Sequence, residues 1–573
     1  MALLDLGKIK ITNKGLWSNV TNYEVDDFVQ SGKHTFICIA NNLNEEPYNV
    51  STSTLNSSFW SFMAQGADSG DWNAASNSPK HILNKPQFLP SMEVVKFPDP
   101  GNGHRHYRAF HVLMDNGEIR CWGTGDAYQL GDGQGNGNRY RPVSVGIPKK
   151  VTRFCTQRHG GVAITEDNEC WVWGQNGQGQ HGLNHTTDSY FPRAVPLPTG
   201  MTKFISAQGP SGSSPNSGST YIYLCENAQG QRFVYTAGYS GHGQIGDGAV
   251  VTRHTLTQVT TLNNIDVEEV YSEGTNYGIL GVKCVNGDIY MWGHNSFGAI
   301  GNGTTSHQNT PLKCQTTSLP DLPVKKLSFQ SDQGSYGYSY ALLENGQLWF
   351  TGQNQNGVDG SGSATGSNVQ RNSWVLVGGE GSSNVVDFVH SGEGRYVTLM
   401  ILKTDEKVYT IGYNDYGSLG IGLTGARNSW QIPPASRTYP HGNVPCNINV
   451  KKIFAGKSGD SHSNFLFIRD DGEWDSHGHG KAFAMGHNST GALGTGHESA
   501  TSPGGANTSW DARFPDECLL PPRVVEMYCA GTDAERASMA LLSDGTLWTS
   551  GYGFHNGRET DNEAINTFGR LTL

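Results

Sequence analysis

Short apolar runs, each only a few residues long, recur along most of the chain and are separated by polar stretches rich in glycine. Runs such as EIRCW from Glu118 and DIYMW from Asp288 either alternate or stay apolar, which is the pattern of half-buried and fully buried strands. Compared with itself, the sequence contains eight copies of one grammar: an apolar strand, a polar tight turn, a second strand ending in an aromatic-Gly or small-Gly step, and a glycine-punctuated loop. The clearest copies read HVLMDNGEIRCWGTGDAYQLGDG from His111, VKCVNGDIYMWGHNSFGAIGNG from Val282 and ALLENGQLWFTGQNQNGVDGSG from Ala341. The others begin at Val162, Phe233, Val408, Phe483 and Leu541. Their anchor glycines are Gly123, Gly174, Gly238, Gly293, Gly352, Gly412, Gly486 and Gly551, about sixty residues apart, so insertions fall in loops.

Asn116-Gly117, Asn286-Gly287, Asn345-Gly346, Asp471-Gly472 and Asp544-Gly545 are dipeptides that tolerate positive φ at both central positions of a two-residue hairpin turn. Each predicts a hairpin tip. After the anchor comes a Gly-x-x-Gly-x-Gly pattern, as in Gly298, Gly301 and Gly303, where the backbone is expected to turn sharply against the next sheet. A dinucleotide loop requires a following helix, and no amphipathic helical segment follows any copy. Repeats that cannot bury their faces alone must close or be capped, and short four-stranded sheets arranged radially are the closed solution. The expected fold is all-β: a propeller of seven or eight blades, with residues 84–92 as a strand that completes the last blade and latches the ring.

Composition narrows the partners. The net charge of −11 and the absence of a Lys/Arg run argue against nucleic acid. Charged residues are only 16% of the chain while Gly numbers 75, so turns replace charge; 10% aromatics supply enough burial for a folded protein. Ten scattered cysteines without a CxxC pair read as buried free thiols of a reducing compartment. The first residues lack an apolar signal core, and no stretch is long and apolar enough for a membrane span, so synthesis in a cytoplasm without a signal peptide is expected.

The strings CWGTGDAYQLGDG, VWGQNGQGQHGLN, MWGHNSFGAIGNG and IGYNDYGSLGIG resemble the repeat of the regulator of chromosome condensation family, over residues 84–573. The resemblance implies an RCC1-like propeller. That family's nucleotide-exchange activity is not carried over, because its rim loops have no match here, and fold alone gives no function.

Residues 1–70 differ in pattern and are expected to form a small three-stranded module, joined by a linker at 71–83. The order Trp17, Tyr23, Asp27, Val29, Gly32, Phe36, Cys38, Pro47, Trp60 resembles small chitin-binding modules that also occur in phage tail proteins, and MALLDLGKIKITNKG resembles the N-termini of tailed-phage virion proteins. Trp17, Tyr23 and Trp60 are candidates to stack on a sugar ring; the competing reading makes them the core of a module that has few other apolar residues.

No catalytic, metal or cofactor site is predicted. His462, His477 and His479 with Asp460 and Asp475, and likewise His104 and His106, match no standard ligand spacing and read as polar loops. No GxSxG, HExxH or DxDxDG motif occurs. The leading expectation is therefore a non-enzymatic phage virion component, a tail fibre or receptor-binding protein. It would dock to other virion proteins through its N-terminal module and present loops to a host glycan or protein, with homo-oligomerisation left open. The alternatives are a cellular scaffold that binds a protein partner, and a glycan-degrading tailspike. Recognition is expected in loops 206–219, 361–373 and 495–510.

Overall fold

The computed structural model describes residues 12–573 apart from 17, 25–26, 32–33, 44–46, 50–53, 56–59, 66–93, 99–108, 158, 211–218, 275–276, 332–335, 364–368, 393–395, 440–441, 446, 457–462, 470–479, 489, 497–511, 522, 533–534 and 559–563. The chain divides into two units, Met1–Met92 and Glu93–Leu573.

In the first unit Thr12–Leu16, Asp27–Ser31, His34–Cys38 and Trp60–Gln65 form a four-stranded sheet in that order, its first pair parallel and the others antiparallel. The expected three-stranded module thus gains a strand. TNKGL is too polar to show as one, and a parallel partner brought in by a crossover leaves no local signature. Tyr23, Val29, Phe36 and Cys38 are buried in this unit.

The second unit is a propeller of eight blades, which settles the choice between seven and eight. Each blade is four consecutive antiparallel strands. In order they run from Val94–Lys96 to Arg139–Ser144, from Val151–Gln157 to Ser189–Ala194, from Met201–Gln208 to Arg253–Gln258, and from Val267–Glu273 to Gln308–Lys313. The remaining four run from Val324–Ser331 to Val369–Leu376, from Val385–Ser391 to Arg427–Gln431, from Val450–Gly456 to Ala512–Glu517, and from Val524–Thr532 to Ala564–Arg570. Second strands such as Ala109–Met114 and Gly160–Thr165 are buried along their whole length because both of their faces meet a neighbouring sheet. First strands of successive blades touch, while fourth strands such as Arg139–Ser144 are half exposed, so the first strands line the axis and the fourth form the rim.

The core lies between blades. One cluster joins Ile279, Met291 and Ile300 of blade 4 to Leu327, Phe329 and Ala341 of blade 5; another joins Val162, Val172 and Cys170 of blade 2 to Tyr221, Tyr223 and Cys225 of blade 3. All eight anchor glycines lie at or near the end of a third strand, at φ between +96° and +118°. At Gly293 a Cβ would stand 2.5 Å from the Gly278 carbonyl oxygen across the strand pair.

The hairpin tips differ from expectation. Only the last residue has positive φ: Gly117 (+82°), Gly287 (+83°), Gly346 (+80°) and Gly545 (+74°). Gly117 N donates to Met114 O while Met114 N donates to Glu118 O, a three-residue loop in which a type I turn is followed by a left-handed residue. The preceding Asn or Asp serves through its side chain. Asn116 Oδ1 accepts from Glu118 N at 2.8 Å, Asn286 Oδ1 from Asp288 N at 3.0 Å, and Asp544 Oδ1 from Thr546 N at 2.9 Å. Asp471-Gly472 lies outside the described residues.

Two contacts repeat around the ring and also close it. The Gly117, Gly287 and Gly346 carbonyls accept from Val151, Val324 and Val385 N at the start of the following blade, at 2.8, 2.9 and 3.0 Å; Gly545 O of blade 8 accepts from Val94 N of blade 1 at 3.0 Å. Likewise Trp173 Nε1 donates to Gln129 O (2.9 Å) and Trp292 Nε1 to Gln244 O (2.8 Å) of the preceding blade, and Trp122 Nε1 of blade 1 donates to His555 O of blade 8 (2.9 Å). The glycine two residues after each of these carbonyls makes room for the indole: a Cβ on Gly131, Gly246 or Gly557 would lie 2.6, 2.8 or 2.9 Å from the tryptophan ring. The last blade is completed by Ala564–Arg570, so no latch strand is needed there; residues 84–92 are outside the described residues.

At one position three copies break the pattern: blades 5 and 8 carry the buried polar residues Asp359 and Asn556, and blade 2 carries a histidine. Between the accepting carbonyl and the indole-facing glycine stand buried Leu130, Ile245, Ile300, Leu419 and Leu493, but blade 2 has His181, fully buried against Tyr221 with no hydrogen-bond partner for either ring nitrogen. Burial pushes this imidazole down to about 3. The unfolded chain therefore takes up the proton first, and stability contributed at this site falls as the pH drops from about 6.5 toward 3.

Two predictions result. Trp122→Phe and Trp292→Phe each leave a buried carbonyl without its donor and should cost a similar amount, about 1–3 kcal/mol, in urea denaturation; a negligible cost at Trp122 beside a full cost at Trp292 would mean an open ring. His181→Leu should raise stability at neutral pH by about 1–3 kcal/mol. Its advantage should widen by up to about 1.4 kcal/mol per pH unit below pH 6.5; an unchanged pH slope would refute the assignment.

Candidate functional site

Because each blade is antiparallel throughout, its first and third strands run the same way. The loops joining strands 1 to 2 and strands 3 to 4 therefore emerge on one face of the ring. The strand 2–3 hairpins and the links between blades emerge on the other, together with the ribbon Ser436–Tyr439/Gly442–Pro445. Loops 206–219, 361–373 and 495–510 all belong to the first face. Their middle parts, 211–218, 364–368 and 497–510, lie outside the described residues.

Local chemistry holds the strand 3–4 loops in place. In blade 4, Asn295 Oδ1 accepts from Ile300 N at 2.9 Å, and its Nδ2 donates to the Thr304 and Ser306 carbonyls at 3.0 and 3.1 Å. Asn176, Asn414 and Asn488 make the equivalent first bond, to His181, Leu419 and Leu493 N. A carboxylate then ties the loop to the fourth strand: Asp247 to Arg253 at 2.8 Å, Asp359 to Arg371 at 2.8 Å, and Asp132 to Arg139.

On this face, among the described residues, three metal-ligating side chains converge. His242 comes from the strand 3–4 loop of blade 3, His294 follows the anchor Gly293 of blade 4, and His307 immediately precedes the fourth strand of that blade. Their ligand nitrogens all lie within 4.8 Å of one another, and their ring centroids are 4.5, 4.9 and 5.0 Å apart. Tyr277 packs against His242 at 5.3 Å and His294 at 4.8 Å. His294 is buried, His242 half-buried and His307 exposed. Burial, then the nearby His242 and His307, push the His294 imidazole down to about 3; burial, then His242, lower that of His307. His307 Nδ1 accepts from Asn295 N at 3.2 Å. Sequence spacing gave no sign of this trio. The three residues occupy non-equivalent places in two copies, and only the abutment of adjacent loops brings them together.

The residues singled out from the sequence fall elsewhere. Tyr23 presents no face to solvent: it is wholly buried and its hydroxyl accepts from Ser18 N at 2.7 Å, so it serves the core and not a sugar platform. Trp17 and the ring of Trp60 are outside the described residues, as are His104, His106, Asp460, His462, Asp475, His477 and His479. Nine cysteines are free and buried, and Cys446 is outside the described residues. Burial raises Cys121 and Cys170 well above the ordinary thiol range and Cys284 and Cys314 to about 12, which makes them poor nucleophiles at neutral pH. Among the described residues no helix is long and apolar enough to cross a membrane.

Comparison with known proteins adds relatives. The profile of the "Regulator of chromosome condensation (RCC1) repeat" matches residues 286–329. The chain is 28% identical over 237 residues to the E3 ubiquitin-protein ligase HERC2 of Homo sapiens, a match covering 39% of this chain and 4% of that protein. It is 24% identical over 312 residues to the Ultraviolet-B receptor UVR8 of Arabidopsis thaliana, covering 53% of this chain and 63% of the receptor. Among solved structures, Prp20p from Saccharomyces cerevisiae is similar at 15% identity over 86% of this chain and 90% of its own, with a TM-score of 0.49. The matched stretch runs from the strand 2–3 hairpin of blade 4 into the first strand of blade 5, and the eight blades share one plan: the chain is an RCC1-like β-propeller.

Proposed function

We propose that the ring is a non-enzymatic scaffold that binds a protein partner through the face bearing the strand 1–2 and strand 3–4 loops. The observation that carries this reading is the contrast between frame and loops on that face. The frame repeats the same contacts from blade to blade, whereas loop length does not: Gly174, Gly238, Gly293 and Gly412 pair with Ser189, Arg253, Gln308 and Arg427, but in blade 7 Gly486 pairs with Ala512. Length variation confined to loops on a fixed frame is how binding surfaces are built. The relatives favour a cellular scaffold or regulatory role over a virion component: one is a receptor by name, and another is a ubiquitin ligase of which this chain matches only a small part. The virion reading has its specific motif support in the N-terminal segment.

Affinity capture with the intact chain, and with two variants, tests the proposal. Replacing 206–219 and 361–373 by short Gly-Ser connections should abolish retention of a defined partner, while removing the ribbon at 436–445 on the opposite face should leave it intact. Loss only with the second variant would reverse the assignment of faces, and retention by both would refute loop-mediated binding.

A further inference from the structure

We propose that His242, His294 and His307 form a tridentate site for one divalent transition-metal ion of the zinc class, bridging blades 3 and 4 on the loop face. A tetrahedral ion with metal–nitrogen bonds of about 2.0–2.1 Å holds its nitrogens about 3.3 Å apart. The three ligand atoms, already within 4.8 Å of one another, need only small ring movements to reach that geometry. All-imidazole donors suit zinc, cobalt, nickel and copper, and do not suit magnesium or calcium.

A neutral imidazole ligates through its unprotonated nitrogen, and in His307 that nitrogen now accepts from the Asn295 amide. Metal capture therefore releases the Asn295 N–H, at the expense of a single long hydrogen bond. The scaffold behind the ligands is rigid: Asn295, next to His294, is the residue that folds the blade 4 loop, and Tyr277 covers one side of the pair His242–His294. With three protein ligands and an exposed His307, the fourth coordination position faces solvent, the arrangement of a site that keeps an exchangeable ligand. Because its ligands come from two blades, a bound ion also staples one junction of the ring.

The test uses the intact, chelator-treated chain and Co²⁺ as a spectroscopic probe, with Zn²⁺ as competitor. The expected result is one equivalent of Co²⁺ with the visible absorption of a four-coordinate ion, displaced by Zn²⁺, a rise in melting temperature on metal addition, and a shifted Asn295 amide resonance. His242→Gln/His307→Gln should lose the absorption and the thermal shift while keeping the metal-free circular dichroism of the parent. If the double variant does not fold, the exposed single change His307→Gln should weaken Co²⁺ binding at least about tenfold. Absorption that persists unchanged in these variants would place the ion elsewhere, and absence of any uptake by the parent at micromolar metal would overturn the proposal. Partner binding plays no part in the assay, so its failure and that of the scaffold reading are separable.

Discussion

A blade of this ring has no interior. Each four-stranded sheet is one layer thick, and its second strand is buried on both faces, so its apolar side chains find cover only on the adjacent sheets. That constraint dictates the rest. A linear stack of such sheets would leave one exposed apolar face at each end; closing the circle removes both ends. Here closure requires no exchanged strand. Phe110 and Phe97 of blade 1 meet Tyr528 of blade 8, and the Trp122–His555 and Val94–Gly545 hydrogen bonds repeat bonds found at several interior junctions. The ends of the ring are therefore joined by the same kind of contact that joins its middle.

What the sequence made legible follows from that repetition. A residue type forced by backbone geometry recurs at every copy: the anchor glycines, the glycines under the indoles and the left-handed hairpin glycines could all be placed by reading alone. Less legible was which of two mechanisms explains the same dipeptide. Asn-Gly fits a turn with two left-handed residues, yet here the Asn bonds through its side chain and only the Gly is left-handed. The first-unit strand Thr12–Leu16 escaped notice because its pairing is parallel and its composition polar. Tyr23 looked equally suited to a sugar platform or a core, since a large aromatic in a small module reads the same way in both; its burial decides.

The substitutions that break the repeat are informative in a different way. The carbonyl that receives the indole N–H in blades 1, 2 and 4 receives other donors elsewhere: Tyr223 Oη donates to Gln180 O, Ser339 Oγ to Ala299 O, and Ser550 Oγ to Ala492 O. The need is fixed and the side chain that meets it varies, because a buried carbonyl must be paired while the neighbouring volume can be filled in several ways.

The same separation explains how one face can acquire chemistry that its frame does not possess. In blades 2, 4, 5, 6 and 7 the strand 3–4 loop is folded by bonds from one Asn, and in blades 1, 3 and 5 an Asp–Arg pair ties it down, while the positions between carry no structural duty in common. Side chains there are free to differ from copy to copy. Each such loop nevertheless abuts the fourth strand of the next blade, as Gly243 against Asn309 and Gly298 against Asn372 show, where no room is left for a Cβ. A residue that drifts at a free position of one blade is thus delivered against free positions of the next, at a distance set by the ring and not by its own sequence neighbours. His242, His294 and His307 meet in this way. Among the described residues their convergence has no counterpart in the other blades, and it arises at a junction whose geometry every other blade helps to hold.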